Sequence, residues 1–357
     1  AVSPMKFRNT GSWEFDGDTG TCLGLPTSYT AVINSEDGTM EKSEKIWLNG
    51  ELIPWDEAKV HVLTHALHYG TGVFEGIKCY DTPKGPAVFR LREHMQRLLN
   101  SAKIYQMPMP YSLDDLCTAA RETVKVNGLK ACYIRPIAFY GYGEMGVNPR
   151  KNKVDISIIV WEWGAYLGDD GIQNGIRVMM SSWQRIDSRS LPTHAKATAN
   201  YANSVLAKLE ALDCGFDEAI MLNSHGMLCE GSGENLFIIK NGTVITPPPS
   251  AGALPGITRD SAMVIARDLG IPVESRDILR EELFLADEAF FTGTAAEVTP
   301  IREVDGRPIG NNGRGEFTAI ERLSLRGRGE LTAQIQSKFF DVVNGKDEKY
   351  YHWLDFV

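Results

Sequence analysis

The stretch that decides the fold assignment is PTHAKATANY, residues 192–201, which places one lysine among small and uncharged neighbours. Lys196 therefore has no adjacent carboxylate with which to form an ion pair. A buried amine without such a partner loses its proton easily, and the neutral amine is the nucleophile that forms a Schiff base. Because lysine is mostly exposed in folded proteins, a surface lysine on a loop is the ordinary alternative.

Two downstream stretches favour the chemical interpretation. The run CEGSGEN, residues 229–235, places Glu230 beside glycines, and ALPGITRD, residues 253–260, opens the helical pattern that continues to residue 269. Unpaired backbone N–H groups and the positive end of a helix bind anions, so a phosphate is expected at this helix start. A lysine, an acid and a phosphate cradle are the parts of a pyridoxal phosphate site.

With these residues the chain resembles the fold-type-IV pyridoxal phosphate enzymes and, within them, the bacterial branched-chain amino-acid aminotransferases. The resemblance runs from about Lys45 to the C-terminus and rests on nine motifs in order. They are HALHYGTGVFEG (65–76), REHMQRL (92–98), YIRP (133–136), GEMGVN (143–148), WGAY (163–166), KATANY (196–201), EGSGENLF (230–237), LPGITRD (254–260) and GTAAE (293–297).

Length and charge bound the class of protein. A chain of 357 residues has room for about two domains, each with its own core. The net charge of −9 argues against nucleic-acid and anionic-membrane partners. No apolar run approaches the ~20 residues that span a bilayer, and no signal-peptide pattern opens the chain. Six cysteines without a CxxC pair are typical of reduced thiols, so we expect a cytoplasmic location and no metal site.

Strands and helices mix without strict alternation, which favours an α+β chain. The resemblance implies the two-domain fold-type-IV aminotransferase architecture, with a smaller N-terminal α/β domain and a larger C-terminal domain that has a β-barrel-like core. We expect an N-terminal extension at 1–44, the small domain at 45–163, an interdomain loop at 164–175 and the large pyridoxal-phosphate-binding domain at 176–357.

Local patterns predict the elements of both domains. Asn-Gly pairs predict hairpins within 45–54 and 236–245. Predicted helices cover 94–106, 112–126, 203–212, 258–269, 280–286 and a segment from 315 towards 341; Ser112 and Asp115 resemble a capping box. Predicted strands cover 132–140, 154–163, 176–183, 218–222, 227–239 and 288–292.

The resemblance also implies which residues bind the cofactor. Lys196 is the catalytic residue, holds pyridoxal 5'-phosphate as a Schiff base and moves the proton at the substrate Cα. Glu230 keeps the pyridine nitrogen protonated, since a carboxylate stabilises the adjacent cation. The other cofactor-binding residues it implies are Arg97, Tyr201, Leu254, Gly256, Ile257, Thr258, Gly293 and Thr294.

The implied reaction exchanges an amino group between leucine, isoleucine or valine and 2-oxoglutarate, with ping-pong kinetics and glutamate as the other amino acid. Arg135 and tyrosine hydroxyls would meet the side-chain carboxylate of glutamate, while Tyr133 and the backbone at Thr294 and Ala295 would meet the α-carboxylate. The substrate-binding residues it implies are Tyr69, Phe74, Tyr133, Arg135, Val147, Trp163, Tyr166, Thr294 and Ala295. Tyr69 and Val147 would come from a second subunit, so a homodimer is the smallest expected assembly, and higher homo-oligomers stay open.

Several alternatives stay open at this point. A D-amino-acid aminotransferase or an aminodeoxychorismate lyase would share the fold, and a catalytically silent cofactor-binding protein would share the site. Lys78 stands where the family often has arginine, and Thr198-Ala199 replaces the usual Gly-Gly, which leaves the finer substrate preference undetermined.

Two further patterns are weaker. Residues 141–146 match GxGxxG, but VNPR follows and cannot open the helix that a dinucleotide site needs. His61, His65 and His68 fall at helical spacing, although a structural role is favoured over a metal site because no carboxylate or cysteine converges on them.

Overall fold

The computed structural model describes residues 41–164, 167–310 and 329–357, together with two short strands near the N-terminus. The strands are β1 (Phe7–Arg8), β2 (Ser12–Trp13), β3 (Lys45–Leu48), β4 (Glu51–Pro54), β5 (Gly72–Phe74), β6 (Ile77–Thr82), β7 (Gly85–Phe89), β8 (Cys132–Tyr140), β9 (Val154–Trp161), β10 (Ile176–Met180), β11 (Glu218–Leu222), β12 (Leu228–Gly231), β13 (Asn235–Lys240), β14 (Thr243–Thr246), β15 (Val273–Ser275), β16 (Glu288–Gly293), β17 (Glu297–Val304), β18 (Arg307–Pro308) and β19 (Leu354–Phe356). The helices are α1 (His65–Tyr69), α2 (Leu91–Ile104), α3 (Leu113–Val126), α4 (Gly168–Asn174), α5 (Thr198–Asp213), α6 (Ile257–Asp268), α7 (Arg280–Phe284) and α8 (Glu330–Val343).

The first sheet is antiparallel and, within the described ranges, has eight strands in the order β19-β7-β6-β8-β9-β3-β4, with β5 paired to β8. Helices α2 and α3 cover this sheet. In α2 the side chains of Leu91, Met95, Leu98 and Ala102 recur at helical spacing and are fully buried. They pack with strand residues such as Ile134 into one core.

The second sheet closes on itself. Its strands follow the order β12-β11-β10-β17-β16-β13, and β13 pairs back with β12, so six strands form a barrel that β14, β15 and β18 extend. Phe237 and Phe290 stack inside the neighbouring core with ring centroids 4.8 Å apart. The predicted α+β architecture with a barrel-like core is therefore confirmed.

Local predictions of turns and caps are confirmed. Asn49 and Gly50 connect β3 to β4 with φ of 50° and 99°, and Asn241 and Gly242 connect β13 to β14 with φ of 49° and 77°. Two successive positive φ values define the tight hairpin turn for which an Asn-Gly pair is suited. Ser112 and Asp115 form the expected reciprocal cap of α3.

Long-range arrangements differ from the sequence expectations. The predicted strand 227–239 is two strands, because a turn at residues 232–234 folds β13 back onto β12. The expected interdomain loop contains α4, and β19 at the chain end pairs with β7 in the first sheet. Strands β5, β6, β7 and β17 were not predicted, and the helix expected from 315 is described only as α8, since residues 311–328 lie outside the described ranges.

No helix within the described ranges is both long enough and apolar enough to cross a membrane.

Candidate active site at the junction of the two sheets

Lys196 lies where the first sheet meets the barrel. Its backbone N–H donates to Ser101 Oγ on α2 at 3.1 Å, and its carbonyl accepts from the Phe74 N–H on β5 at 2.9 Å. The next residue, Ala197, pairs with Val73 and precedes α5, which packs on β11 of the barrel. The lysine is thus held by both sheets.

The amine of Lys196 faces an aromatic environment. Its Nζ donates to Tyr201 Oη at 2.5 Å and lies 5.1 Å from the ring centre of Phe74. Tyr201 reaches it because α5 begins at Thr198 and places Tyr201 in its first turn. In the described part of the chain Lys196 forms no ion pair with a carboxylate, which is the setting that the sequence predicted.

Glu230 lies at the end of β12 and is 5% exposed. One carboxylate oxygen lies 2.7 Å from Arg185 Nε, and the other accepts from the Leu254 N–H at 2.9 Å and from Asn235 Nδ2 at 3.2 Å. Burial raises the pKa of Glu230, and Arg185 opposes this rise. Arg185 was missed because it lies 45 residues before Glu230 in no recognisable motif.

A second acid, Glu234, is buried beside Glu230. Burial and the nearby Glu218 raise the pKa of Glu234 to about 8, although Lys208 and the Gly233 N–H lower it. Unlike Glu230, it has no arginine in contact among the described salt bridges. Glu230 is therefore the acid better suited to carry a negative charge in this site.

An anion cradle is predicted at the start of α6. Gly256 is its N-cap residue, and no side chain of the described residues caps it, so the first N–H groups of the helix stay available. A Cβ at Gly256 would lie 1.9 Å from Asn235 Oδ1, so only glycine fits there. Ile257 and Thr258, the first two helical residues, are buried.

Arg97 reaches this cradle from α2. Its Nη1 donates to the Pro255 carbonyl at 2.9 Å, while Nε and Nη2 contact the two oxygens of Glu75 at 2.6 and 2.8 Å. His94 Nδ1 lies 2.8 Å from Glu75. Burial by itself would raise the pKa of Glu75, but Arg97 and His94 lower it to about 2. The sequence patterns suggest no role for Glu75, but its two contacts hold Arg97 in place.

The first sheet supplies an aromatic wall with one cation. The Arg135 guanidinium lies 5.1 Å from the ring centre of Phe74, 5.2 Å from Tyr133 and 5.7 Å from Trp161. Its Nε is buried and, within the described structure, has no hydrogen-bond partner. Trp163 packs edge-on against Tyr133 at 4.6 Å. A buried donor without a partner is costly, so this wall is suited to an acceptor from a ligand.

Other residues singled out from the sequence lie elsewhere or are not described. Gly293, Thr294 and Ala295 form the end of β16 and the turn to β17, with Gly293 against Glu234. Tyr69 and Val147 are 41% and 86% exposed on the surface. Tyr166 lies outside the described residues. The roles assigned to all of these residues stay predictions.

The histidine pattern and the GxGxxG match, which suggested other kinds of site, lie in structural surroundings. His65 bonds Thr71 Oγ1 at 2.8 Å and the Gly146 carbonyl at 2.7 Å, and His68 Nε2 bonds the Val62 carbonyl at 2.8 Å. Residues 141–146 lead into β9 and not into a helix. Across the described ranges, His, Cys, Asp and Glu side chains form no group of three that could hold a metal ion.

Comparisons with known proteins agree on one family. The family model for class IV amino-transferases matches residues 72–304. A branched-chain-amino-acid aminotransferase of Escherichia coli (strain K12) is 48% identical over 321 residues, covering 89% of this chain and 99% of the relative. A crystal structure of the Escherichia coli enzyme matches with a TM-score of 0.82 and 48% identity, covering 88% of this chain and 99% of the other. The branched-chain amino acid aminotransferase from Thermobaculum terrenum, solved in its PLP-bound holo form, has a TM-score of 0.80 and 34% identity, covering 88% of this chain and 98% of the other.

Proposed function

Because this chain belongs to the class IV aminotransferase family, we propose that it transfers amino groups between branched-chain L-amino acids and 2-oxoglutarate. The observation that carries the proposal is the convergence of three features beside an aromatic wall: a lysine that makes no ion pair with the described residues, a buried acid and a helix start at Gly256. The relatives named above act on branched-chain amino acids, and the wall offers the apolar surface that such side chains need.

Pyridoxal 5'-phosphate fits the residues present. No described side chain caps the start of α6, so its first N–H groups can bind a phosphate, Arg97 stands beside them, and Glu230 can pair with a protonated ring nitrogen. Lys196 would hold the aldehyde carbon and Tyr201 the phenolic oxygen. When bound, the cofactor supplies the electron sink that makes the substrate Cα–H acidic.

The chain's own groups then handle the proton. The Lys196 amine is the base that takes the proton from the substrate Cα and the acid that returns it. Tyr201 Oη, 2.5 Å from this amine, orients it. Burial raises the pKa of Glu230 and Arg185 opposes that rise, so Arg185 favours the carboxylate form that can stabilise positive charge. Phe74 places an apolar ring beside the Lys196 amine, which favours the exclusion of water from the reacting carbon.

A panel of amino donors tests this function. Purified holoenzyme should form glutamate from 2-oxoglutarate with L-leucine, L-isoleucine and L-valine, at rates within about tenfold of each other because each methylene contributes only about 0.8 kcal/mol. D-alanine as the preferred donor would instead indicate a D-amino-acid aminotransferase. Pyruvate released from aminodeoxychorismate without any 2-oxo acid would indicate a lyase.

We expect Arg135→Met to weaken the binding of 2-oxoglutarate and glutamate but not that of leucine. Methionine keeps an unbranched apolar stem beside Phe74, but it removes the cation that would bind the second carboxylate of 2-oxoglutarate. The loss of a charged hydrogen bond, about 3 kcal/mol, should raise KM for 2-oxoglutarate and glutamate about 100-fold, with KM for leucine within about threefold.

Arg177→Met is the matched control for this substitution, because Arg177 also lies over an aromatic ring, Phe216 at 5.0 Å, but on the barrel. Steady-state kinetics with each substrate varied in turn measure the effect. Equal changes for leucine and 2-oxoglutarate in Arg135→Met would contradict the assignment.

We further propose a homodimer. The segment 60–69, which includes α1, and the loop 142–147 form one surface, since Thr64 pairs with Tyr142 and the rings of His61 and Tyr142 are 4.3 Å apart. This surface exposes a set of large apolar side chains: Val60, Val62, Leu63, Leu67, Tyr69, Tyr142, Met145 and Val147. Such a patch marks an interaction surface, and a second copy would bring Tyr69 and Val147 to its neighbour's site.

Light scattering measures this assembly. The wild-type protein should have the mass of at least two subunits, and Leu67→Glu should reduce it to one because a buried charge in the contact is unfavourable. Leu285→Glu, at a position 63% exposed on the barrel side, is the control and should leave the mass unchanged. A wild-type monomer at micromolar concentration would refute the dimer.

The proposed location is the cytoplasm, where thiols stay reduced. Supporting this, five cysteines of the described structure are free: Cys79, Cys117, Cys132, Cys214 and Cys229.

A further inference from the structure

A cluster of Lys78, Tyr80 and Glu297 joins the first sheet to the barrel. One oxygen of Glu297 lies 2.8 Å from Lys78 Nζ and accepts the Tyr80 hydroxyl at 3.0 Å. Glu297 is 5% exposed and Tyr80 is 8% exposed. Lys78 and Tyr80 lie on β6 and Glu297 begins β17, so this buried ion pair connects the two halves of the proposed site.

The backbone of Glu297 is unusual. It has φ of 54°, and it pairs with Gly293 across the three-residue turn 294–296 between β16 and β17. The residue that closes such a turn in the left-handed region is normally glycine, because a Cβ disfavours that conformation. The side chain of Glu297 offsets this unfavourable backbone conformation, because it contacts Lys78 and the buried Tyr80.

The cluster adjoins both groups that are expected to bind a substrate α-carboxylate, namely the 294–296 turn and Tyr133. On the barrel side, Glu297 ends the turn that carries Thr294 and Ala295. On the other side, Lys78 pairs in register with Tyr133, and a Cβ at Gly76 would lie 1.9 Å from the Tyr133 hydroxyl. The tyrosine hydroxyl and the turn are therefore held relative to each other by one buried contact.

We propose that Lys78, Tyr80 and Glu297 are positioning residues that hold the 294–296 turn at the correct distance from Tyr133 to bind the α-carboxylate of every substrate. The proposal rests on the proposed function, because that function supplies the carboxylate. Both amino acids and both 2-oxo acids of the reaction carry this group. A disturbance of the cluster must therefore weaken all substrates alike, unlike the loss of Arg135.

Kinetics of matched variants test the proposal. In Lys78→Met and Glu297→Gln, KM for leucine and for 2-oxoglutarate should both rise about tenfold, with kcat within about threefold and cofactor absorbance retained. Lys78→Arg keeps the ion pair and should behave like wild type. Lys240→Met, which removes the 2.9 Å ion pair with Asp287 on the barrel, is the control.

A variant with a residue that tolerates the positive φ at position 297 separates the effect of the side chain from an effect on folding. Glu297→Gly removes the carboxylate but places glycine in the conformation that it prefers, so it should fold and still show the rise in KM. The double variant Lys78→Met/Glu297→Gln should be no worse than either single one, because both remove the same contact. Unchanged KM in these folded variants, or a fall in kcat alone, would overturn the proposal.

Binding of an unreactive carboxylate separates this proposal from the proposed function. 4-Methylpentanoic acid has the leucine skeleton without its amino group, and its Kd for the cofactor-loaded protein can be followed by absorbance. That Kd should weaken about tenfold in Lys78→Met and Glu297→Gln but not in Lys240→Met. If the wild type transaminates nothing in the donor panel while these Kd shifts occur, the proposed function is wrong but the positioning role of the cluster is supported. An unchanged Kd in both variants contradicts the positioning role.

Discussion

Lys196→Ala should abolish transamination of leucine, with kcat reduced at least about 10⁴-fold. The substitution removes both the amine that would hold the cofactor and the group that would move the proton at Cα, and a positioned general base by itself contributes about 10²- to 10⁴-fold. Alanine in place of lysine leaves the backbone bonds to Ser101 and Phe74 in place, so the fold should persist. Coupled turnover assays and the mass of the protein after borohydride reduction measure the two losses.

Lys240→Ala is the control for Lys196→Ala, since it removes a lysine of the barrel that pairs with Asp287. It should keep activity and should gain the reduced cofactor mass as wild type does. Wild-type rates in Lys196→Ala, or a cofactor adduct on another lysine, would show that the assignment of the nucleophile is wrong.

Glu230→Gln should retain the cofactor but lower kcat by about 10³-fold. Glutamine keeps the size and the acceptor oxygen for the Leu254 N–H, but it removes the charge that would stabilise a protonated ring nitrogen. A unit charge at contact distance is worth about 4 kcal/mol at an effective dielectric constant of about 20, which corresponds to roughly that factor. Single-turnover kinetics with leucine isolate the chemical step.

The Arg185 side chain complicates this substitution, because Glu230→Gln leaves a buried cation without its partner at 2.7 Å. Such a loss destabilises a fold, so the melting temperature should fall. The double variant Arg185→Met/Glu230→Gln removes both charges and should recover stability without recovering activity. If activity recovered together with stability, Glu230 would act only by neutralising the buried charge of Arg185.

Local patterns were sufficient for the elements whose geometry is set by neighbours in the chain. The Asn-Gly pairs predicted both hairpins, the Ser112–Asp115 cap predicted the start of α3, and the helical pattern at 258–269 matches α6 within a residue. In each case hydrogen bonds between residues a few positions apart decide the conformation. Nine ordered motifs likewise sufficed to identify the family.

Ion pairs between residues that are distant in sequence could not be predicted from local patterns. Glu75 with Arg97, Arg185 with Glu230 and Lys78 with Glu297 are 22, 45 and 219 residues apart, and each pair joins different elements. Nothing in the spacing of charged residues specifies which of many possible partners will be buried together. Only the packing of the two sheets makes that selection.

For this protein, then, the order of residues along the chain determined its family and its hairpin turns, and it predicted the lysine, the acid and the phosphate cradle. The tertiary structure alone decided that β13 closes the barrel onto β12, that β19 returns to the first sheet, and which charges support the site. The reason is physical: a turn or cap is stabilised by contacts within a few residues, whereas strand closure and buried ion pairs depend on how whole sheets exclude water together.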